Sequence, residues 1–260
     1  EVSITNSQFN SNSADAGGVN GARGGGIAIS GIIGTPTVSI AGSSFTANST
    51  GATGGAIAVF SATLNLDDVT FASNNADTDG GAIFALTAAV NADASTFTGN
   101  TSIEGGAVHM NTDAVGSFTG CTFDANIAGV DGRGGAIYAL GTANTDPLGT
   151  IEITNTVFSN NESQGSGARG GAAYFTNGTT VGPAVVNVTN ADFTSNSSGE
   201  RGGAVYVLIT QGVTMTGCTF DQNTAATDGG GVFLSSGGGG LFDGCTFTNN
   251  SADDDGGAFA

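Results

Sequence analysis

Seven and five residues before a recurring phenylalanine, the chain places apolar residues with polar ones between them: Val2/Ile4, Val38/Ile40, Leu64/Leu66, Ile151/Ile153, Val186/Val188 and Val213/Met215. This period of two predicts a strand with one buried face. Three residues before the phenylalanine stand Asn6, Gly42, Asp68, Ala94, Gly120, Asn155, Asn190, Gly217 and Gly244, eight of nine being Gly, Asn or Asp. Those residue types tolerate left-handed dihedrals, so a sharp bend is expected there. A second short strand then carries the phenylalanine inward. A third follows a Gly-Gly pair and alternates again, as in Ile27/Ile29, Ile57/Val59, Ile83/Ala85, Val205/Val207 and Val232/Leu234. No stretch has helical spacing.

The pattern repeats along the whole chain. Phe-x-x-Asn occurs nine times, from Phe9/Asn12 to Phe247/Asn250, and includes Phe71/Asn74, Phe97/Asn100 and Phe123/Asn126. A Gly-Gly pair follows every copy. Successive phenylalanines are 26 or 27 residues apart in five intervals and 35 or 36 in three, so three copies carry insertions. Self-similarity at this period is the signature of a solenoid. Three short strands per unit, joined by bends, predict an all-β parallel β-helix of about nine coils, forming a single domain over residues 1–260. Coils stack at about 4.8 Å, so equivalent residues form columns. Phe71, Phe97 and Phe123 then fill the core, while Asn74, Asn100 and Asn126 form an amide ladder.

Composition narrows the function classes. The chain has 22 acidic and 4 basic residues, a net charge of −18, 46 glycines, no Trp and no Lys. A surface this acidic does not bind a nucleic acid backbone. No apolar run approaches the roughly 20 residues of a membrane span. The glycines lack the three-residue period of collagen. Cys121, Cys218 and Cys245 each lie two residues before a phenylalanine, at a small inward position. Parallel stacking holds neighbouring Cβ atoms beyond the roughly 3.8 Å mean of a disulfide, so free buried thiols are expected.

The two motifs resemble the repeats of the chlamydial polymorphic outer membrane proteins, which carry Gly-Gly-Ala-Ile and Phe-x-x-Asn. Here the first reads Gly80-Gly81-Ala82-Ile83 and Gly134-Gly135-Ala136-Ile137, with Val at Val108 and Val205. The resemblance covers nearly the whole chain. It implies a right-handed β-helix that is extracellular or on a cell surface, with adhesive or structural work. Within these 260 residues no β-barrel translocator follows the repeats, so autotransport is not expected from them.

Four groups of residues are candidates for chemistry. Catalysis is not expected, because there is one His, His109, and no set of acid, base and stabiliser of the kind a hydrolytic site needs. Acids gather between the Asn and the Gly-Gly. Asp228, Asp253 and Asp255 are the set for a hard cation such as Ca2+, against a solvated acidic edge that keeps the rod soluble. No cofactor other than such a cation is expected. Every Arg stands immediately before a Gly-Gly, in a column reading Arg23, Thr53, Asp79, Glu104, Arg133, Arg169, Arg201, Asp228, Asp255. Glu104 should meet Arg133, and Arg201 should meet Asp228, as a ladder of ion pairs; the alternative is that Arg133, Arg169 and Arg201 receive an anionic partner. Three residues after Gly-Gly run Phe84, His109, Tyr138, Tyr174, Tyr206 and Phe233. With the aliphatic neighbours inward, this stripe points outward, either as an exposed surface for a receptor or glycan or as a surface covered by the insertions. The prolines Pro36, Pro147 and Pro183 fall in the long insertions, which should protrude from one face. Of the seven Asn-x-Ser/Thr sites, Asn48, Asn100, Asn161 and Asn196 belong to the ladder and should be inside, and among the other three Asn177 and Asn187 are the candidates for a glycan.

Three functions follow as expectations. The first is a structural segment of an extracellular filament, stalk or surface protein. The second is an adhesin module using the aromatic stripe or the insertion loops, and the third a polysaccharide-active enzyme. The chain starts in one strand of the unit and stops in another, without a polar cap. It is therefore expected to be an interior stretch, continued in a longer chain or by head-to-tail self-association.

Overall fold

The computed structural model describes residues 1–15, 21–31, 34–112, 114–140, 150–176, 185–208, 212–235 and 239–260. Within them the chain winds into nine coils whose strands pair in parallel with the coil above and below. No helix is present among the described residues.

The strand that precedes the phenylalanine, such as Thr63–Asp67, forms one nine-stranded sheet, and the phenylalanine strand, such as Thr70–Ala72, forms a second. The strand after Gly-Gly, such as Ile83–Leu86, forms an eight-stranded sheet. These are the three expected strands. A fourth exists in every coil, immediately after the ladder Asn, and forms another nine-stranded sheet of pieces as short as Asn75–Ala76. It turns one small residue inward, such as Ala76, Ser102, Ala128 or Ser163. A strand of two residues has no alternation to read, which is why the pattern predicted three per coil.

The corners have a simple origin. The nine residues three before Phe all have φ between 47° and 63°, Ala94 included. The nine residues two after Phe, from Ser11 to Asn249, also lie in the left-handed region, with φ from 52° to 62°. At the Gly-Gly corner two separate needs meet. Gly80 has φ of 63°, and a Cβ on Gly81 would run into the Gly106 carbonyl oxygen of the next coil. The first glycine supplies a dihedral and the second the clearance for stacking.

The core is a narrow column. Phe45, Phe71, Phe97, Phe123, Phe158, Phe193 and Phe220 are completely buried. Their rings form one continuous stack with Phe9 and Phe247, with centroids 4.5–5.0 Å apart and planes within 11° of parallel. Parallel pairing of identical strands forces this register, because Phe71 sits opposite both Phe45 and Phe97. The Asn ladder runs beside it, and Asn48, Asn74, Asn100, Asn126, Asn161, Asn196 and Asn223 are fully buried. A glycan on the ladder Asn48, Asn100, Asn161 or Asn196 is therefore sterically closed. Cys121 and Cys218 are buried free thiols, whereas Cys245 is only half-buried. Burial pushes the Cys121 and Cys218 thiols up to about 11.

Candidate functional site

The outer face of the Gly-Gly sheet carries the only concentration of basic and aromatic chemistry among the described residues. The expected column is real: Arg23, Thr53, Asp79 and Glu104 pair in order, Glu104 pairs with Arg133, and Arg133 pairs with Arg169 and Arg169 with Arg201. Both expected ion pairs form. Arg133 Nη1 donates to Glu104 Oε1 at 2.6 Å, and Arg201 Nε donates to Asp228 Oδ2 at 2.7 Å. Glu200, outside the column, lies between two arginines, 3.0 Å from Arg169 Nε and 3.6 Å from Arg201 Nη1. Arg133, Arg169 and Arg201 thus each have a carboxylate partner. Burial works to lower the Arg133 and Arg169 pKa values, yet both end up raised, because Glu104 and Glu200 favour the charged guanidinium.

The aromatic stripe is not exposed. Phe84, His109, Tyr138, Tyr174 and Tyr206 are all buried, and Phe233 is half-buried. The rings point away from the main core, as their place in the alternation requires, but form a second apolar cluster there. Tyr138, Tyr174 and Tyr206 pack with Leu140, Leu208 and Phe233. Tyr206 stacks on Tyr174 at 4.9 Å and on Phe233 at 5.1 Å, whereas Tyr138 meets Tyr174 at a tilt of 47°. Arginines reach over from the preceding coil: Arg133 over Tyr174 at 5.9 Å, Arg169 over Tyr206 at 5.4 Å and Arg201 over Phe233 at 5.2 Å. The two columns that the sequence presents as separate are one layer, guanidinium over ring. Desolvation raises the pKa values of the Tyr138 and Tyr174 phenols.

The proposed cation set does not assemble. The Asp228 carboxylate is held by Arg201, and Asp253 and Asp255 are exposed. Among the described residues, the one group of three metal-type side chains with donor atoms within 4.8 Å of one another is Asp79, Glu104 and His109. His109, a member of the stripe expected to point outward, is buried. It is 2% exposed and its Nδ1 lies 3.0 Å from Asp79 Oδ1. Asp79 stood in the charge column and His109 in the ring column, so only a register between adjacent coils could have joined them.

One arginine differs. Arg23 lies 4.5 Å over the Phe60 ring and has no carboxylate partner among the described residues. With Phe60, Phe84 and Leu86 it lines an open hollow on the same face. Pro147, Pro183 and Asn177 lie outside the described residues. Asn187 is described, and its amide donates to Glu152 at 2.8 Å.

Comparison with known proteins agrees with this architecture. The model of the right-handed beta helix region matches residues 106–258. The model of the Chlamydia polymorphic membrane protein repeat matches residues 68–86, the stretch that holds Phe71, Asn74 and Gly80-Gly81-Ala82-Ile83. Searches of curated proteins and of solved structures return no match.

Proposed function

Because the chain belongs to the right-handed β-helix family, we propose that it is a structural repeat segment of an extracellular filament, stalk or cell-surface protein. The observation that carries this function is axial continuity. Nine phenylalanine rings and nine asparagines run through all nine coils without a break. Every coil repeats the same packing, and neighbouring coils are the main contact each one makes. The rod is roughly 40 Å long at the usual spacing of stacked strands. Its partners are further coils of the same kind, on the same chain or another. A surface location is supported by the polymorphic membrane protein repeat at residues 68–86.

The segment is non-catalytic in this proposal. Its single histidine is buried, and the three column arginines beside the tyrosines are already bound to carboxylates. Immunogold labelling of intact producing cells tests the function. Label outside the envelope is expected, and label confined to the cytoplasm would refute it.

A second function, adhesion, has one specific observation in its favour. The tyrosine stripe is closed, but Arg23 beside Phe60, Phe84 and Leu86 offers a cation and ring faces in an open hollow. That pairing suits an acidic sugar. A glycan array should then show binding to uronate or sialylated glycans that Arg23→Ala removes. No binding, or binding unchanged in Arg23→Ala, would exclude this hollow.

A further inference from the structure

We propose that Asp79, Glu104 and His109 form a binding site for a divalent first-row transition-metal ion that ties the third coil to the fourth. Asp79 and Glu104 are paired positions on adjacent coils of one column, and His109 stands five residues after Glu104 on the neighbouring sheet. One donor atom from each lies within 4.8 Å of the other two. Such a set fits around one ion, since metal–ligand bonds of about 2.0–2.2 Å place donors roughly 3–4.4 Å apart.

The histidine makes this more than an acidic cluster. It is 2% exposed, and its Nδ1 is turned onto the Asp79 carboxylate at 3.0 Å. Its Nε2 is buried with no hydrogen-bond partner. A metal bond at Nδ1 would take the place of the single hydrogen bond to Asp79 and hold the ring more strongly, with Nε2 unpartnered in either state. Phe84 and Tyr138 hold the ring on either side, with centroids 5.4 Å and 4.7 Å away.

Charge points the same way. Asp79 and Glu104 are two carboxylates stacked on adjacent coils, with Arg133 bonded to Glu104 alone. A cation would relieve that repulsion. Arg133 takes Glu104 Oε1, which leaves a second oxygen for the ion and fixes the carboxylate's orientation in the way outer partners of metal ligands do. An imidazole nitrogen with two carboxylates selects Zn2+ or Mn2+ over Ca2+ and Mg2+, which prefer oxygen alone.

Mn2+ is the probe, because the three thiols compete poorly for it. Titration of the metal-free chain, followed by loss of the free-ion electron paramagnetic resonance signal, should show one saturable site. Zn2+ should compete for it and raise the melting temperature. His109→Gln, Asp79→Asn and Glu104→Gln should each weaken binding by about tenfold or more, while Asp253→Asn should leave it unchanged. Melting curves without metal report whether each variant folds. If His109→Gln does not, the two carboxylate variants decide. No saturable Mn2+ binding, or binding indifferent to all three substitutions, would overturn the site. So would Ca2+ binding as tight as Mn2+ and insensitive to His109→Gln, since it would place the ion on the acidic edge.

Discussion

The side chains of Asn100 and Asn126 share one oxygen in a way that fixes the register of two coils. Both the backbone N–H and the Nδ2 of Asn100 donate to Asn126 Oδ1, each at 3.0 Å. Asn126 Nδ2 in turn donates to the Phe97 carbonyl at 2.9 Å and to Asn161 Oδ1 at 2.9 Å. Each interior amide therefore uses both its hydrogens and both lone pairs of its oxygen. A saturated buried network is stabilising, whereas a partly saturated one is costly.

Asn126→Ala should accordingly be among the most damaging single changes. It strands the Asn100 N–H, one Asn100 amide hydrogen and the Phe97 carbonyl, all buried. At about 1–3 kcal/mol for each unsatisfied group, the loss is on the order of 3–9 kcal/mol. Denaturant unfolding measures it. Asn126→Asp should not rescue, because the lost donors are what the Phe97 carbonyl and Asn161 need.

Phe97→Ala removes a fully buried ring between Phe71 at 4.9 Å and Phe123 at 4.5 Å. The expected cost is about 3–5 kcal/mol. The same change at half-buried Phe9 should cost clearly less in the same unfolding experiment, because only part of that ring leaves contact with protein.

The Phe and Asn columns were legible in the sequence because both motifs are single residues at a fixed spacing, and parallel stacking turns spacing directly into contact. The outer layer was less so. Alternation places Tyr174 outward correctly, but burial there depends on Arg133 reaching over it from the preceding coil, and side-chain reach between coils leaves no trace in a one-coil pattern. Glu200 escaped for the same reason: it lies one residue outside the column yet bonds Arg169, 31 residues away. The sequence offered Asp228 both to Arg201 and to a cation shared with Asp253 and Asp255, and in the structure it is bonded to Arg201 at 2.7 Å while the other two carboxylates are exposed.

Arg169→Ala should destabilise modestly, by about 1–2 kcal/mol, combining a partly exposed ion pair with Glu200 and the stacking over Tyr206. Arg169→Lys should recover less than half of that, since an ammonium keeps the charge but loses the planar contact. Melting at low and high salt separates the two parts, and only the ion-pair part should screen away.

The thiols should show a matching pH dependence. Cys121 and Cys218 sit near 11 in the folded chain because burial disfavours the thiolate, against an ordinary value of 9.0. A group raised on folding contributes its full stability below its unfolded value and loses it as pH climbs through the folded one. Stability should fall between about pH 9 and 11, by roughly 2–3 kcal/mol for each thiol at most. Cys121→Ser with Cys218→Ser should remove the fall between about pH 9 and 10 and leave above it the part due to the buried Tyr138 and Tyr174 phenols, which desolvation also raises. At neutral pH a thiol reagent should label half-buried Cys245 first, and equal labelling of all three would contradict the burial.

Excising one whole coil is the most direct test that the coils are interchangeable structural units. Deleting residues 75–100 joins Asn74 to Thr101 and removes 26 residues. Asn74 and Asn100 are equivalent ladder positions, so every column closes again in register. Solution X-ray scattering on the shortened chain should show a folded rod shorter by about 4.8 Å, one strand spacing, with its β-structure circular dichroism retained. An unfolded or aggregated product, or a particle whose length does not change, would contradict the account.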